Sequence, residues 1–316
     1  MSDRRKLAIL SLMALVLIIL YVVVGLDLSI LGYALPRRVN KVLAILLTGA
    51  AIGFSTTIFQ TVTTNRILTP SIMGLDSLYL LTQTLVLFFF GSTSVLLVNS
   101  QLNFLITVTT MVLFSGVLFR FLFRGERREI YLLLLVGVIA GTLFQSLSSF
   151  LQMILDPNEF LVVQNSMFAS FNNVKSKLLP WSSLLVVGFS LYTLRYVHIL
   201  DVLALGREQA VNLGVEYEKV VMRLLMVVAV LVASVTALVG PITFLGILVV
   251  NLAREMLQSF KHRYLLPASA LLGVVALVGG QFLVERVLDL ASPVSVIINF
   301  VGGLYFIILL LRGNYA

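Results

Sequence analysis

Cysteine is absent from the 316 residues, so the chain carries no disulfide framework and no thiolate metal site. Charge is scarce as well: Asp, Glu, Lys and Arg make up 11% of the chain, against 59% hydrophobic residues and a mean hydropathy of +1.07. No GxxxxGK[ST] stretch occurs, which excludes a phosphate-cradling loop for ATP within this polypeptide. The two histidines, His198 and His262, fall in separate interhelical loops and lack metal-ligand spacing. Carboxylates are nearly missing from the apolar runs. Only Glu285 and Asp289, near one helix end, come close to the intramembrane position that ion-coupled carriers use. No cofactor or metal site is expected, and no catalytic cluster.

What remains is hydrophobic sequence in excess of anything a soluble core can hide. A spanning helix takes about 20 apolar residues. Ten runs qualify or nearly so: 7–25, 41–61, 77–92, 103–122, 130–153, 180–196, 221–239, 241–253, 264–284 and 296–312, the third, sixth and eighth being short. The runs are continuous rather than alternating, which selects helices over barrel strands. The first follows Arg4, Arg5 and Lys6 as a signal peptide would, but it is long and has no small-residue cleavage site, so it reads as an anchor. The expected fold is an all-α polytopic membrane protein of about ten helices, one domain over residues 1–316.

The net charge of +8 does not form one patch, which argues against nucleic acid. The basic residues sit at the ends of the apolar runs. With ten spans and an inside N-terminus, most of the 22 Lys and Arg fall inside, among them Arg66, Arg120, Arg124, Arg127, Arg128, Arg207, Lys219, Arg254, Lys261 and Arg312. Arg37, Arg38, Lys41, Lys175, Lys177 and Arg286 remain outside. This agrees with the positive-inside rule and places both termini, and the long loop LALGREQAVNLGVEYEK at 203–219, in the cytoplasm. Outside connections at 26–40 and 154–179 are long enough to fold locally. Gly49 with Gly53, and Gly137 with Gly141, have the spacing that lets helix backbones meet closely in lipid.

Three stretches carry a resemblance to a known family. LPRRVNKVLAILLTGAAIGFSTTIFQTVTTNRILTPSIMG at 35–74 is similar to a PR…Q…NPLA.P..LG pattern through Pro36, Arg37, Gln60, Asn65, Pro70 and Gly74. LALGREQAVNLGV at 203–215 is similar to an LG…A..LGV loop through Leu205, Gly206, Ala210, Leu213 and Gly214. GPITFLGILVVNLAR at 240–254 is similar to a G.I.FVGL..PH..R pattern through Gly240, Ile242, Phe244, Gly246 and Arg254, and the tail at 292–312 follows it through Pro293 and Gly302. Together these resemble the permease subunit of ABC importers for iron–siderophore complexes, haem and cobalamin. The chain departs from the pattern at Thr56 (usually glycine), Arg66 (usually proline), Leu68 (usually alanine), Asn251 and Leu252 (usually Pro-His), and Ser295 (usually glycine). With the GGQ at 279–281, these departures look most like the branch that imports catecholate siderophores.

The resemblance implies a type II ABC importer permease fold and a place in the cytoplasmic (inner) membrane. It also implies a second permease copy or paralogue, two ABC ATPase subunits, an extracytoplasmic substrate-binding protein and an iron–siderophore cargo. Residues 203–219 would be the coupling loop, with Gly206 and Gly214 bracketing a short helix and Ala210 letting it approach an ATPase groove. Arg37, Arg38 and Arg286 would dock the binding protein. The translocation pathway would be lined by Ser55, Thr56, Thr57, Gln60, Asn65 and Phe244, since a hydroxyl and amide stripe offers weak, exchangeable hydrogen bonds. Haem or cobalamin cargo, and an ion-gradient-driven secondary transporter as a different class, stand as the alternatives.

Overall fold

A computed structural model of the chain describes residues 2–25, 31–122, 130–172, 174–288 and 293–311. Arg124, Arg127, Arg128, Asn173, Asp289 and Arg312 lie outside these described residues, as do parts of the 26–40 and 154–179 connections. The described residues form α1 (Asp3–Val23), α2 (Leu31–Val62), α3 (Leu75–Phe90), α4 (Val95–Val98), α5 (Ser100–Leu122), α6 (Ile130–Gln152) and α7 (Pro157–Ser166). There follow α8 (Leu179–Leu194), α9 (Val197–Leu203), α10 (Arg207–Asn212), α11 (Tyr217–Val239), α12 (Leu245–Met256), α13 (His262–Phe282) and α14 (Val294–Leu311). Among the described residues, seven helices are long and apolar enough to cross a membrane by length and composition. With α3, α12 and α14 they match the ten expected segments, including the three shortest at α3, α8 and α12. The chain is a polytopic all-α membrane protein.

The loop ends sort into two faces. One, here the proximal face, gathers the start of α1, the end of α2, α9 and the α12–α13 connection. Asp3 accepts from the backbone N–H groups of Gln258 and Ser259 at 3.0 Å each, and Lys6 donates to the Met256 carbonyl. The distal face gathers the end of α1, the start of α2, Asn172 and the end of α13. α1, α2 and α13 thus each run from one face to the other.

Two helices are the axis of the packing. The most apolar windows of α11 and α2 are 78% and 72% buried, against 17% for α1 and 22% for α6. Glycine makes α2 fit. A Cβ at Gly49 would lie 2.7 Å from the Val274 backbone nitrogen, and one at Gly53 would lie 2.7 Å from that of Ala270, both on α13. The two backbones touch, as small residues permit in lipid, where van der Waals contact has to replace hydrophobic driving force. Gly137 and Gly141 do the same for α6 against the turn at 73–74 that opens α3.

α12 is only 12 residues, about 18 Å, too short to cross a core of about 30 Å. Residues 240–243 complete the passage as non-helical chain, with Gly240 at φ +102° against Ala169. Irregular backbone is tolerated at membrane depth only where protein encloses it, and Gly240, Pro241 and Ile242 are all buried.

Candidate functional site

The proximal loop is built as a rigid step. α9 ends at Leu203, Gly206 turns the chain at φ +99°, and α10 runs for six residues. It stops in a Schellman motif: Gly214, at φ +83°, donates to the Val211 carbonyl at 2.9 Å, and Val215 donates to the Ala210 carbonyl at 3.0 Å. No atom lies within 4 Å of where a Gly214 Cβ would be, so this position needs glycine for its backbone angle alone. Arg207 pairs with Glu218 at 3.3 Å and lies 5.8 Å from the centre of the Tyr217 ring, tying α10 to the start of α11.

The geometry corrects one expectation. Ala210 is fully buried in the chain's own core, so its small side chain lets α10 sit on this protein rather than on a partner. Three apolar side chains in and beside α10 face outward among the exposed Arg207, Glu208, Gln209 and Asn212: Leu205, Val211 and Leu213 are 55%, 50% and 63% exposed. Beneath, Asp201 of α9 accepts from both the backbone N–H and Nδ1 of His262 at 2.7 Å, and His262 Nε2 meets Thr61 Oγ1 of α2 at 2.7 Å. His262 is thus a buried strut at the start of α13, not a loop residue, and it joins the loop to both central helices.

The expected pathway residues on α2 have a different job. Ser55, Thr56, Thr57 and Gln60 are each at most 1% exposed. Thr57 Oγ1 donates to the Gly53 carbonyl at 2.7 Å and lies 3.0 Å from Ser269 Oγ on α13. Ser55 bonds its own helix at Ile52. Thr56 fills the space that Gly246 leaves on α12. Asn65 shapes the turn after α2 by accepting from the Ile67 N–H at 2.9 Å, and Gln60 donates to the Arg66 carbonyl at 2.7 Å. Phe244, half-buried, packs on α14 beside Gly302 and Phe306. Gln60 reaches the wall of a proximal cavity. Ser55 and Thr56 line only a small pocket against Asp76 and Thr236, because the neighbouring helices enclose α2 in the single chain.

A polar stripe that does face outward lies on α6. Thr142, Gln145 and Ser146 are exposed and Ser149 is half-buried, at helical spacing on one side. Thr142, Gln145 and Ser146 border a groove of about 360 Å³ against Ser71 and Ser77. The neighbouring side of α6, with Ile139, Leu143 and Phe150 each about 60% exposed, is purely apolar. Exposed hydroxyl and amide groups at membrane depth are costly against lipid and belong against water or protein. The signal was present in the sequence as i, i+3, i+4, i+7 polar residues inside the apolar run 130–153.

At the distal face, Lys41 forms an ion pair with Glu285 at 2.6 Å and donates to Asn172 Oδ1 at 2.9 Å. Tyr21 donates to the other Glu285 oxygen at 2.8 Å, and Gln281 donates to Glu285 at 2.7 Å. Segments far apart in sequence thus meet on one carboxylate. A π-helical turn, Leu283–Val287, aims Glu285 inward and leaves Arg286 exposed. Arg38, expected to dock a partner, donates to the carbonyls of Val22, Val24 and Gly25 and so closes the C-terminus of α1. Arg37 and Arg286 remain exposed. Among the described residues no group of three or more His, Cys, Asp or Glu is placed to hold a metal ion.

Comparison with known proteins gives the arrangement a context. The profile of the FecCD transport family matches residues 33–312. The petrobactin import system permease protein YclO of Bacillus subtilis is 55% identical over 314 residues, covering 99% of each chain. The petrobactin import system permease protein FatC of Bacillus anthracis is 35% identical over 276 residues, covering 87% of this chain and 78% of its own. A solved ABC transporter of metal-chelate type, in an inward-facing conformation, superposes with a TM-score of 0.84 at 24% identity, covering 98% of this chain and all of the other.

Proposed function

This chain belongs to the FecCD transport family, and on that premise we propose that it is the permease subunit of an ABC importer that carries an iron–siderophore chelate across the cytoplasmic membrane. Petrobactin is the first cargo to test, given the names of two similar relatives. Those relatives favour a siderophore over haem or cobalamin. The proximal face is cytoplasmic in this reading, in line with its basic residues.

The observation that carries the mechanism is the capped helix α10 with its exposed Leu205, Val211 and Leu213. A cytoplasmic loop gains nothing by fixing three apolar side chains in water; a partner that covers them does. Two separate ATPase subunits are that partner, one for this chain and one for a second permease copy or paralogue. ATP binding draws the ATPase pair together and pushes α10. The push passes through Asp201 and His262 to α2 and α13, which are one body because their backbones touch. The α6 groove lines the central pathway, where hydroxyl and amide groups trade hydrogen bonds with the chelate without a deep charge well. A substrate-binding protein docks at the distal face on Arg37 and Arg286, whose charges steer orientation and on-rate. The chain performs no chemistry on its cargo.

The test is uptake of radio-iron petrobactin by a strain lacking this gene. The wild-type gene should restore uptake. Leu213→Glu should not, and should also release the ATPase subunits from the purified complex. Restored uptake with full ATPase retention in Leu213→Glu would overturn the coupling role of the loop.

A further inference from the structure

Beside α9 the proximal face opens into a cavity of about 510 Å³, whose wall shares Asp201, Leu205 and His262 with the coupling route. Its wall holds Arg66, just past the end of α2, and Arg254, near the end of α12. Neither guanidinium has an ion pair or side-chain hydrogen bond among the described residues, and Arg254 Nε is buried with no partner at all. Gln60 lines the same cavity, its amide nitrogen held by the Arg66 carbonyl and its buried Oε1 left open. Asp201 is the acidic residue in the wall, and its Oδ1 is committed to His262. Two like charges thus share a partly enclosed space in which the carboxylate of Asp201 is turned to His262 and pairs with neither. Holding them together costs free energy unless an anion sits between them.

The rim identifies the anion's source. Leu205, 55% exposed, and Phe260, 74% exposed, border the opening, and Val211 and Leu213 are exposed on the chain that follows. A charged hollow with exposed apolar side chains, Leu205 and Phe260, beside exposed Thr64 and Gln258 has the mixed make-up of a protein interface, in which apolar contacts help to exclude water from a polar one. We propose that this cavity is a second socket for the ATPase subunit and receives an Asp or Glu side chain of that subunit between Arg66 and Arg254. A guanidinium binds a carboxylate through two parallel N–H bonds. The proposal rests on the ABC permease reading, and adds a charged contact beside the apolar one, with Leu205 common to both.

The test uses the assembled permease pair in lipid nanodiscs and its own ATPase subunit, with binding titrated at low and high salt. Arg66→Glu, Arg254→Ala and the Arg66→Ala/Arg254→Ala pair are compared with wild type. Arg66 is exposed, so Arg66→Glu tests the charge without risk to the fold. The socket predicts that the double variant binds the ATPase about tenfold or more weakly at low salt. It also predicts that the wild type's loss of affinity at high salt is largely gone in that variant. Leu213→Glu serves as the reference for the apolar contact. If Leu213→Glu weakens binding while all arginine variants keep wild-type affinity and salt dependence, the socket is wrong and the permease reading stands. If the arginine variants lose uptake but not ATPase affinity, the cavity serves an anionic cargo and the socket is again wrong. If no variant, Leu213→Glu included, alters ATPase binding, the permease–ATPase reading itself falls.

Discussion

Helices α2 and α6 carry nearly the same polar alphabet and use it in opposite ways. On α2, Ser55, Thr57 and Thr61 bond their own helix, and Thr57 and Thr61 also reach α13. On α6, Ser148 and Gln152 turn inward to Thr84 of α3, while Thr142, Gln145 and Ser146 turn outward into a groove. Residue type therefore does not decide whether a hydroxyl stripe glues helices or lines a passage. The neighbours decide. α2 is ringed by α13, α11, α8 and α12, whereas α6 meets the rest of the chain on one side only.

The harshest way to break that comparison is to pry α2 off α13. Gly53→Leu would drive a branched side chain into the Ala270 backbone, where even a Cβ has no room. Backbone shift on this scale exceeds ordinary overpacking costs of about 1–3 kcal/mol. The expected outcome is loss of folded permease from detergent extracts, read by size-exclusion chromatography with ATPase co-elution. Recovery of a normal complex would mean that the α2–α13 contact is loose.

Next in size is a plug in the groove. Ser146→Trp fills space beside Ser77 without touching the core and should abolish siderophore uptake, with ATPase retention unchanged. Normal uptake would remove α6 from the pathway. The mildest change is Thr57→Val, which keeps shape and deletes one interhelical hydroxyl contact. Such bonds average about 0.6 kcal/mol in a membrane protein. A drop of a few degrees or less in Tm with normal uptake is expected. Lost uptake in a stable Thr57→Val permease would restore α2 to the pathway.

The apolar helices were legible in the sequence because continuous apolar runs near bilayer length are stable as helices in lipid and would be ruinous in water. The step at 206–214 was legible because two glycines bracketed a short polar stretch, and both do adopt positive φ. Which way Ala210 points was not, because six residues give too little periodicity to orient a helix. Arg38 and Lys41 read as free charges because what engages them cannot be foreseen locally: the carbonyls of α1 for one, and Glu285, 244 positions away, for the other. Two departures from the family pattern meet in space: Asn251, in place of proline, donates to the carbonyl of Arg66, itself in place of proline, at 3.2 Å. Thr56, in place of glycine, is housed by Gly246, which the pattern keeps.

The assignment of the wet and dry faces can be read directly, because the chain has no cysteine to confuse the signal. Ser146→Cys, Leu143→Cys and Thr57→Cys, made one at a time in the assembled transporter, would be exposed to a charged, water-soluble thiol reagent. Such reagents attack the thiolate, which forms in water and not in lipid or a packed core. The account predicts rapid labelling at 146, none at 143 or 57, and equal labelling of all three after denaturation. Labelling at 57 with 146 protected would contradict it, and would put the pathway back along α2.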